Sequence, residues 1–177
     1  MLGTVYTIGH STHPADEFVR MLRHNGVEMI VDVRAVPGSR RSPQFSPDEL
    51  SRSLGEAGVE YLQVPELGGR RYTPVGAETI NGGWRNHSFQ SYADYMQTEP
   101  FEKGIETLLG LAGDRSVAIM CAEAVPWRCH RSLIADALLV RGAEVLDILS
   151  ATSTKRHALT PFARVDGLRI WYPPAAE

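Results

Sequence analysis

Cysteine is scarce in this chain: Cys121 and Cys129 are the only two in 177 residues. A small secreted fold stapled by disulfides uses more, so a reducing compartment, the cytoplasm, is expected. Long apolar runs are missing as well. None approaches the roughly 18 residues of a membrane span, and no membrane partner is expected. The stretch Thr4-Val5-Tyr6-Thr7-Ile8 reads as a strand, with no basic n-region before it and no cleavage-site pattern, which argues against a signal peptide. Lysine is nearly absent. All but Lys103 and Lys155 of the 18 basic side chains are arginines, while the net charge is −3. That balance speaks against a strongly basic nucleic-acid binder but leaves room for a local patch. A GC-rich genome would favour arginine codons; bidentate recognition of carboxylate or phosphate would also favour arginine. Placement along the chain has to separate the two. Repeats and low-complexity runs are lacking too, and 177 residues suit one α/β domain spanning 1–177.

What is present alternates between strand and helix patterns. Residues 3–8 form a first apolar strand, followed by a turn at Gly9-His10-Ser11-Thr12-His13. Pro14, Asp16 and Glu17 suit the first turn of a helix whose apolar face carries Phe18, Val19, Met21 and Leu22. Val27 to Val33 is apolar almost throughout, as a strand covered on both faces should be. Ser46-Pro47-Asp48-Glu49 reads as a capping box with Pro at N1, opening a helix that buries Leu50, Leu54 and Ala57. A third strand is expected at 59–64. The pattern then stops from 65 to about 88, where five glycines, two prolines, Trp84, Arg70, Arg71 and Arg85 occur together. So long an irregular stretch in a compact domain is usually functional, and an active-site flap is expected there. Helices around 89–96 and 100–112, a strand at 116–120, a helix at 129–140 and a strand at 144–149 follow, with a late strand at 168–172. The reading is a three-layer α/β/α sandwich, Rossmann-like or rhodanese-like, around a mostly parallel sheet of about five strands.

Ligands in such sheets bind beyond the carboxyl ends of the strands. His10 and Ser11 follow the first strand; Asp32, Arg34 and Ser39 follow the second; Gly69 and Arg70 follow the third. After the fourth come Cys121 and Glu123, then Cys129, His130, Arg131 and Ser132. A thiol at a strand tip, facing backbone N–H groups at a helix start and a guanidinium, is held toward the thiolate and can act as a nucleophile. The competing reading makes Cys121 a small buried hydrophobe. Asp32 and Arg34 would pair with each other as readily as with a ligand. Cys121, Cys129, His130 and His10 form the one conceivable metal set. Seven residues between the cysteines fit no compact zinc motif, so no metal or other cofactor is expected. The two thiols also suggest an attacking and resolving redox pair.

Two resemblances join these residues. Ile30-Val31-Asp32-Val33-Arg34, Cys121 on a strand and Arg131-Ser132 at a helix start resemble rhodanese-type domains, with nine residues between Cys121 and Arg131 where that loop has about four. Cys121 to Arg128 misses the Cys-x5-Arg spacing of tyrosine phosphatases by one residue. Over nearly the whole chain the sequence is similar to the bacterial and archaeal domain-of-unknown-function family 488. Thr7-Ile8-Gly9-His10-Ser11, Asp32-Val33-Arg34 with Pro37 and Ser39, Leu67-Gly68-Gly69, Tyr92 with Met96, Cys121-Ala122-Glu123 and Cys129-His130-Arg131 carry that similarity. It implies no particular activity.

The expectation is therefore an enzyme for a small anionic molecule, phosphate-, nucleotide- or sulfur-containing, working as a Cys-dependent transferase or hydrolase. Cys121 would be the nucleophile, and His10, Glu123 or His130 would move protons. Ser11, Asp32, Arg34, Ser39, Gly69, Arg70, Tyr92, Cys129, Arg131 and Ser132 would surround the substrate. The runner-up is a non-catalytic nucleotide or single-stranded nucleic-acid module, with Arg40, Arg41, Arg70, Arg71 and Arg85 on phosphates and Tyr72 and Trp84 stacking on bases. A metal-dependent version of the same pocket is the third.

Overall fold

The apolar runs that look like covered strands pair with one another in parallel, as their composition requires. The computed structural model describes residues 3–38 and 41–176, so the expectations placed on Ser39 and Arg40 lie outside the described residues. The elements are β1 (Thr4–Gly9), α1 (Ala15–His24), β2 (Met29–Asp32), α2 (Pro47–Glu56), β3 (Glu60–Gln63), α3 (His87–Tyr95), α4 (Glu99–Asp114), β4 (Val117–Cys121), α5 (Arg131–Val140), β5 (Glu144–Ser150), β6 (Ser153–Arg156), β7 (Arg164–Asp166) and β8 (Arg169–Trp171). The main sheet runs in the order β3-β2-β4-β1-β5-β6, parallel except for β6. Among the described residues no helix is long and apolar enough to cross a membrane.

Side chains alternate across the sheet with period two, and this builds two cores. Val5, Met29, Val31, Val117, Ile119 and Cys121 face the layer of α3, α4 and α5. Ile8, Ile30, Ala118 and Met120 face the layer of α1 and α2, where Phe18, Met21, Leu22, Leu50 and Leu54 meet them. Each such side chain, fully covered, contributes about 1.5–3 kcal/mol. The result is the expected α/β/α sandwich. Strands β1 and β4 lie side by side, yet the helices that follow them go to opposite faces of the sheet. A crevice therefore opens beyond their carboxyl ends.

Three details differ from the sequence reading. The sheet has six strands, because Ser153–Arg156 joins β5 antiparallel although all four of its residues are exposed. With no apolar side chain to announce it, only backbone pairing recruits this strand. The late strand at 168–172 exists as β8, but it pairs with β7 in a separate hairpin. Finally, Ser46 starts α2 without capping it: its hydroxyl donates to the Pro43 carbonyl at 2.7 Å. Residues 43–45 form a tight 3-10 turn that draws the hydroxyl backwards, and Glu49 pairs with Arg52 instead.

The segment expected as a flap is tied down at several points. Asn81 donates to Asp94 on α3 at 2.8 Å, Thr73 accepts from His87 at 2.7 Å, and the Gly83 N–H reaches the Tyr172 carbonyl at 2.8 Å. Tyr172 is itself held by Asp136, a fully buried carboxylate on α5. Asp136 accepts from the Tyr172 hydroxyl at 2.8 Å, His157 Nε2 at 2.7 Å and the Thr160 N–H at 3.1 Å. Replacing it leaves buried donors without partners. Asp136→Ala is expected to lower the unfolding free energy in urea by about 3–5 kcal/mol, and Asp136→Asn by clearly less. A midpoint unchanged in Asp136→Ala would show that this network carries no stability.

Candidate functional site

The alternation that builds two cores also divides the polar residues at the strand ends. Asp32 follows Ile30 toward the α1/α2 layer, whereas Cys121 follows Ile119 toward α3–α5. On the first side, Arg34 is locked onto Asp32: Nη2 to Oδ2 at 2.7 Å and Nε to Oδ1 at 3.0 Å, with Nη1 donating to the Phe45 carbonyl at 2.7 Å. The Tyr61 hydroxyl closes the other flank of Asp32. His10 stacks on Phe45 at 4.5 Å between ring centroids. Its Nδ1 lies 2.8 Å from the Ser11 carbonyl, which can only accept, so Nδ1 carries the proton and Nε2 accepts from Arg34 Nη1 at 3.3 Å. Burial holds this imidazole below its ordinary pKa, and the Arg34 charge adds to the effect. Asp32 and Arg34 thus form the mutual bridge that was one of their two readings.

On the other side, β1 and the loop after β4 zip together. The His10 N–H reaches the Cys121 carbonyl and the Ser11 N–H the Ala122 carbonyl, each at 2.9 Å. Ser11 enters the left-handed region at φ 48° to do so. Gly9 makes the approach feasible: a Cβ there would stand 1.8 Å from the Glu123 carbonyl oxygen. That carbonyl accepts from the Cys121 thiol at 3.4 Å and from Arg131 Nη2 at 3.3 Å.

Arg131 is wholly buried, and its Nε and Nη1 have no hydrogen-bond partner. Its Nη2 reaches two carbonyls, those of Glu123 and Ala124, and it has no carboxylate partner among the described residues. It is also the first residue of α5, where the helix dipole is positive. The groups beside it that can take negative charge are the two thiols. The Cys121 thiol is lowered from its ordinary pKa, first by a hydrogen bond from Cys129 and then, against burial, by the Arg131 guanidinium. The Cys129 thiol is pushed well up, because it supplies that hydrogen bond and is buried. Of the two thiols, Cys121 is the first to ionise.

The backbone N–H at the start of α5, expected to face Cys121, points instead at the Cys129 sulfur at 3.5 Å. The nine residues after Cys121, which include a 3-10 turn at Pro126–Arg128, carry the helix start past the first cysteine to the second. Cys129 also lies 3.3 Å from His130 Nδ1. His130 Nε2 is 2.8 Å from the Val33 carbonyl and must donate to it, so Nδ1 is a lone pair facing the thiol. Burial pushes the His130 pKa down to about 4, which keeps the ring neutral at pH 7. Gly69 gives the ring its room, since a Cβ there would sit 2.6 Å from Nδ1.

These groups border an open cavity of about 310 Å³, a size that takes a small molecule. Cys121, Glu123, Cys129, His130, Arg34, Gly69 and Arg70 line it, as expected positions. Arg128, Ser88, Phe89 and Val36 line it as well and were not anticipated. Arg128 stood out only as the arginine that misses the Cys-x5-Arg spacing by one residue, and Phe89 only as the start of an expected helix. Six expected residues lie elsewhere. His10, Asp32 and Ser11 belong to the network on the other face. Tyr92 is buried with its hydroxyl on the Leu67 carbonyl at 2.9 Å. Ser132 borders a separate cavity, beside Trp127 and His157. Arg131 stands behind the thiols, outside the lining. Among the described residues no three His, Cys, Asp or Glu side chains are grouped to hold a metal ion, and the His10 ring meets Arg34 and Phe45. For the nucleic-acid reading, Trp84 packs among Phe89, Phe162 and Tyr172, and Arg71 lies on the Tyr95 ring at 3.7 Å, so of the two aromatics expected to stack on bases Tyr72 alone is exposed.

A three-layer α/β/α fold around a mostly parallel sheet defines the class. Within it, the chain matches the family described as Domain of unknown function DUF488 over residues 14–138, and it belongs to that family. No curated protein matches the chain, and no solved structure does. The matched span holds both cysteines, His130, Arg131, Gly69 and the Asp32–Arg34 bridge, while the Thr7–Ser11 string precedes it.

His130 gives the site a pH signature. The folded ring stays neutral down to about pH 4, whereas the unfolded chain takes a proton near 6.5, so stability is complete above 6.5 and declines as pH falls. Urea midpoints between pH 6.5 and 4 are expected to report a loss on the order of 3 kcal/mol from this residue. In His130→Gln, which keeps a donor for Val33, the decline should be clearly shallower. Parallel curves would refute the assignment.

Proposed function

We propose that this protein is a thiol-dependent enzyme, a transferase or hydrolase, acting on a small anionic substrate in the cavity beside Cys121. The observation that carries the reading is Arg131. A buried guanidinium with two unpartnered N–H groups and no carboxylate costs several kcal/mol unless a negative charge stands close by. The Cys121 thiolate supplies that charge, and the same field makes it a nucleophile near neutral pH. Arg70 and Arg128 line the mouth, exposed and without ion-pair partners among the described residues, where they would meet the substrate's negative groups. Phosphate-, nucleotide- and sulfur-containing molecules all satisfy that requirement. Neutral His130 is placed to pass a proton at Cys129, and Glu123 stands on the cavity wall as the remaining proton carrier.

Ultraviolet absorbance of the thiolate, followed against pH on the intact protein, tests this directly. One thiolate should form well below the ordinary pKa of about 8.5, and the step should vanish in Cys121→Ser. Arg131→Met should move the step upward, while iodoacetamide labelling of Cys121 follows the same curve. A Cys121 that ionises like a free thiol would refute the nucleophile.

A further inference from the structure

The cavity holds two thiols, which is more than a single-nucleophile transfer or hydrolysis requires. Cys129 is 8% exposed and lines the same cavity as Cys121. A merely structural cysteine needs no polar partner, yet the Cys129 sulfur has two. It lies 3.3 Å from the lone pair of His130 Nδ1, and it receives the first N–H of α5 at 3.5 Å. A base beside the S–H and a backbone donor on the sulfur are what a thiol needs in order to lose its proton and attack in turn. The other sulfur in the same cavity lining is that of Cys121.

We propose that Cys121 and Cys129 act as an attacking and resolving pair that reduces small disulfides bearing carboxylate groups. This rests on the reading of Cys121 as the nucleophile and specifies its substrate. The Cys121 thiolate attacks one sulfur of the disulfide. The substrate S–S bond breaks, a mixed disulfide forms on Cys121, and the first substrate half leaves as a thiolate that takes a proton from water. The Cys129 sulfur then attacks Cys121 as its proton, relayed by His130 Nδ1, passes to the departing second half, which leaves as a thiol. Two protein thiols have been oxidised to one internal disulfide, and one substrate disulfide has been reduced to two thiols. An external dithiol restores the starting pair by the reverse exchange.

The closing step draws the two sulfurs together to about 2 Å, and the segment between β4 and α5, irregular apart from one 3-10 turn, is where the change falls. The substrate's charge follows from the rim, where Arg70 and Arg128 carry no partner among the described residues and Arg34 is already neutralised by Asp32.

The probe is glutathione disulfide, mixed with the reduced full-length protein at neutral pH and read by non-reducing peptide mass spectrometry. Wild-type protein should release two glutathione molecules per chain and acquire a Cys121–Cys129 bridge, at least about tenfold faster than the urea-unfolded chain. Cys129→Ser should stop after one release, with glutathione bound to Cys121, and Cys121→Ser should form neither species. The neutral hydroxyethyl disulfide should react more slowly, and Arg70→Ala combined with Arg128→Ala should cost about fivefold with glutathione disulfide alone. Wild-type protein that stops at the mixed disulfide overturns the resolving role of Cys129 and leaves the Cys121 nucleophile standing. Equal rates with both disulfides overturn the anionic substrate class. A native rate no faster than that of the unfolded chain, with the low thiolate step still present, overturns disulfide reduction alone; if that step is also missing, the nucleophile falls with it.

Discussion

A guanidinium without solvent contact must have its charge answered from inside the protein, and the surroundings of Arg131 are organised by that need. Carbonyls of the Cys loop take one of its nitrogens, and the dipole of its own helix works against it. What remains is the pair of sulfurs. Buried thiols in apolar surroundings ordinarily resist ionisation. Here a hydrogen bond from Cys129 and the Arg131 charge reverse that tendency for Cys121, while the same bond and burial exaggerate it for Cys129. The asymmetry between two chemically identical groups comes from their placement alone.

Placement, in turn, comes from the sheet. Strand β4 lies between β2 and β1, so its last residue is fixed from both sides, and the odd-even alternation decides which helical layer it meets. Two glycines then allow contacts that any side chain would prevent. Gly9 lets β1 run against the Glu123 carbonyl that orients both Cys121 and Arg131, and Gly69 lets the His130 ring settle beside Cys129. The Asp32–Arg34 bridge across the sheet carries Arg34 to the cavity wall with its charge already compensated.

Much of this was legible in the residues. Strand runs such as Val27–Val33 declare themselves because both faces are apolar, and the chemistry-bearing residues collect where strands end. The division of those residues between two faces was not legible in the same way. His10, Asp32 and Cys121 all follow strands, and only the register of each strand says which layer its last side chain enters. Tyr92 and Phe89 illustrate the same limit on a helix. Both suit a buried face, and packing sends Phe89 to the cavity wall and Tyr92 to the Leu67 carbonyl. Strand β6 escaped because Ser-Thr-Lys-Arg pairs through its backbone, and sequence patterns register side chains. The capping box failed through its neighbours, since the 3-10 turn before Ser46 offered its hydroxyl a closer acceptor.

Tyr172 is among the largest fully buried side chains, and its partners Asn81, Gly83 and Asp136 lie far earlier in the chain. This has a consequence for how the molecule is made on the ribosome. Until residue 172 has cleared the exit tunnel, the Asp136 carboxylate lacks one donor, the Trp84 ring lacks one wall, and the segment before α3 lacks its anchor. The α1/α2 core draws on residues up to Ile148 and can assemble earlier. The layer that carries the thiols is therefore completed last during synthesis. For that interval both cysteines belong to a partly formed core, open to whatever oxidants the compartment contains.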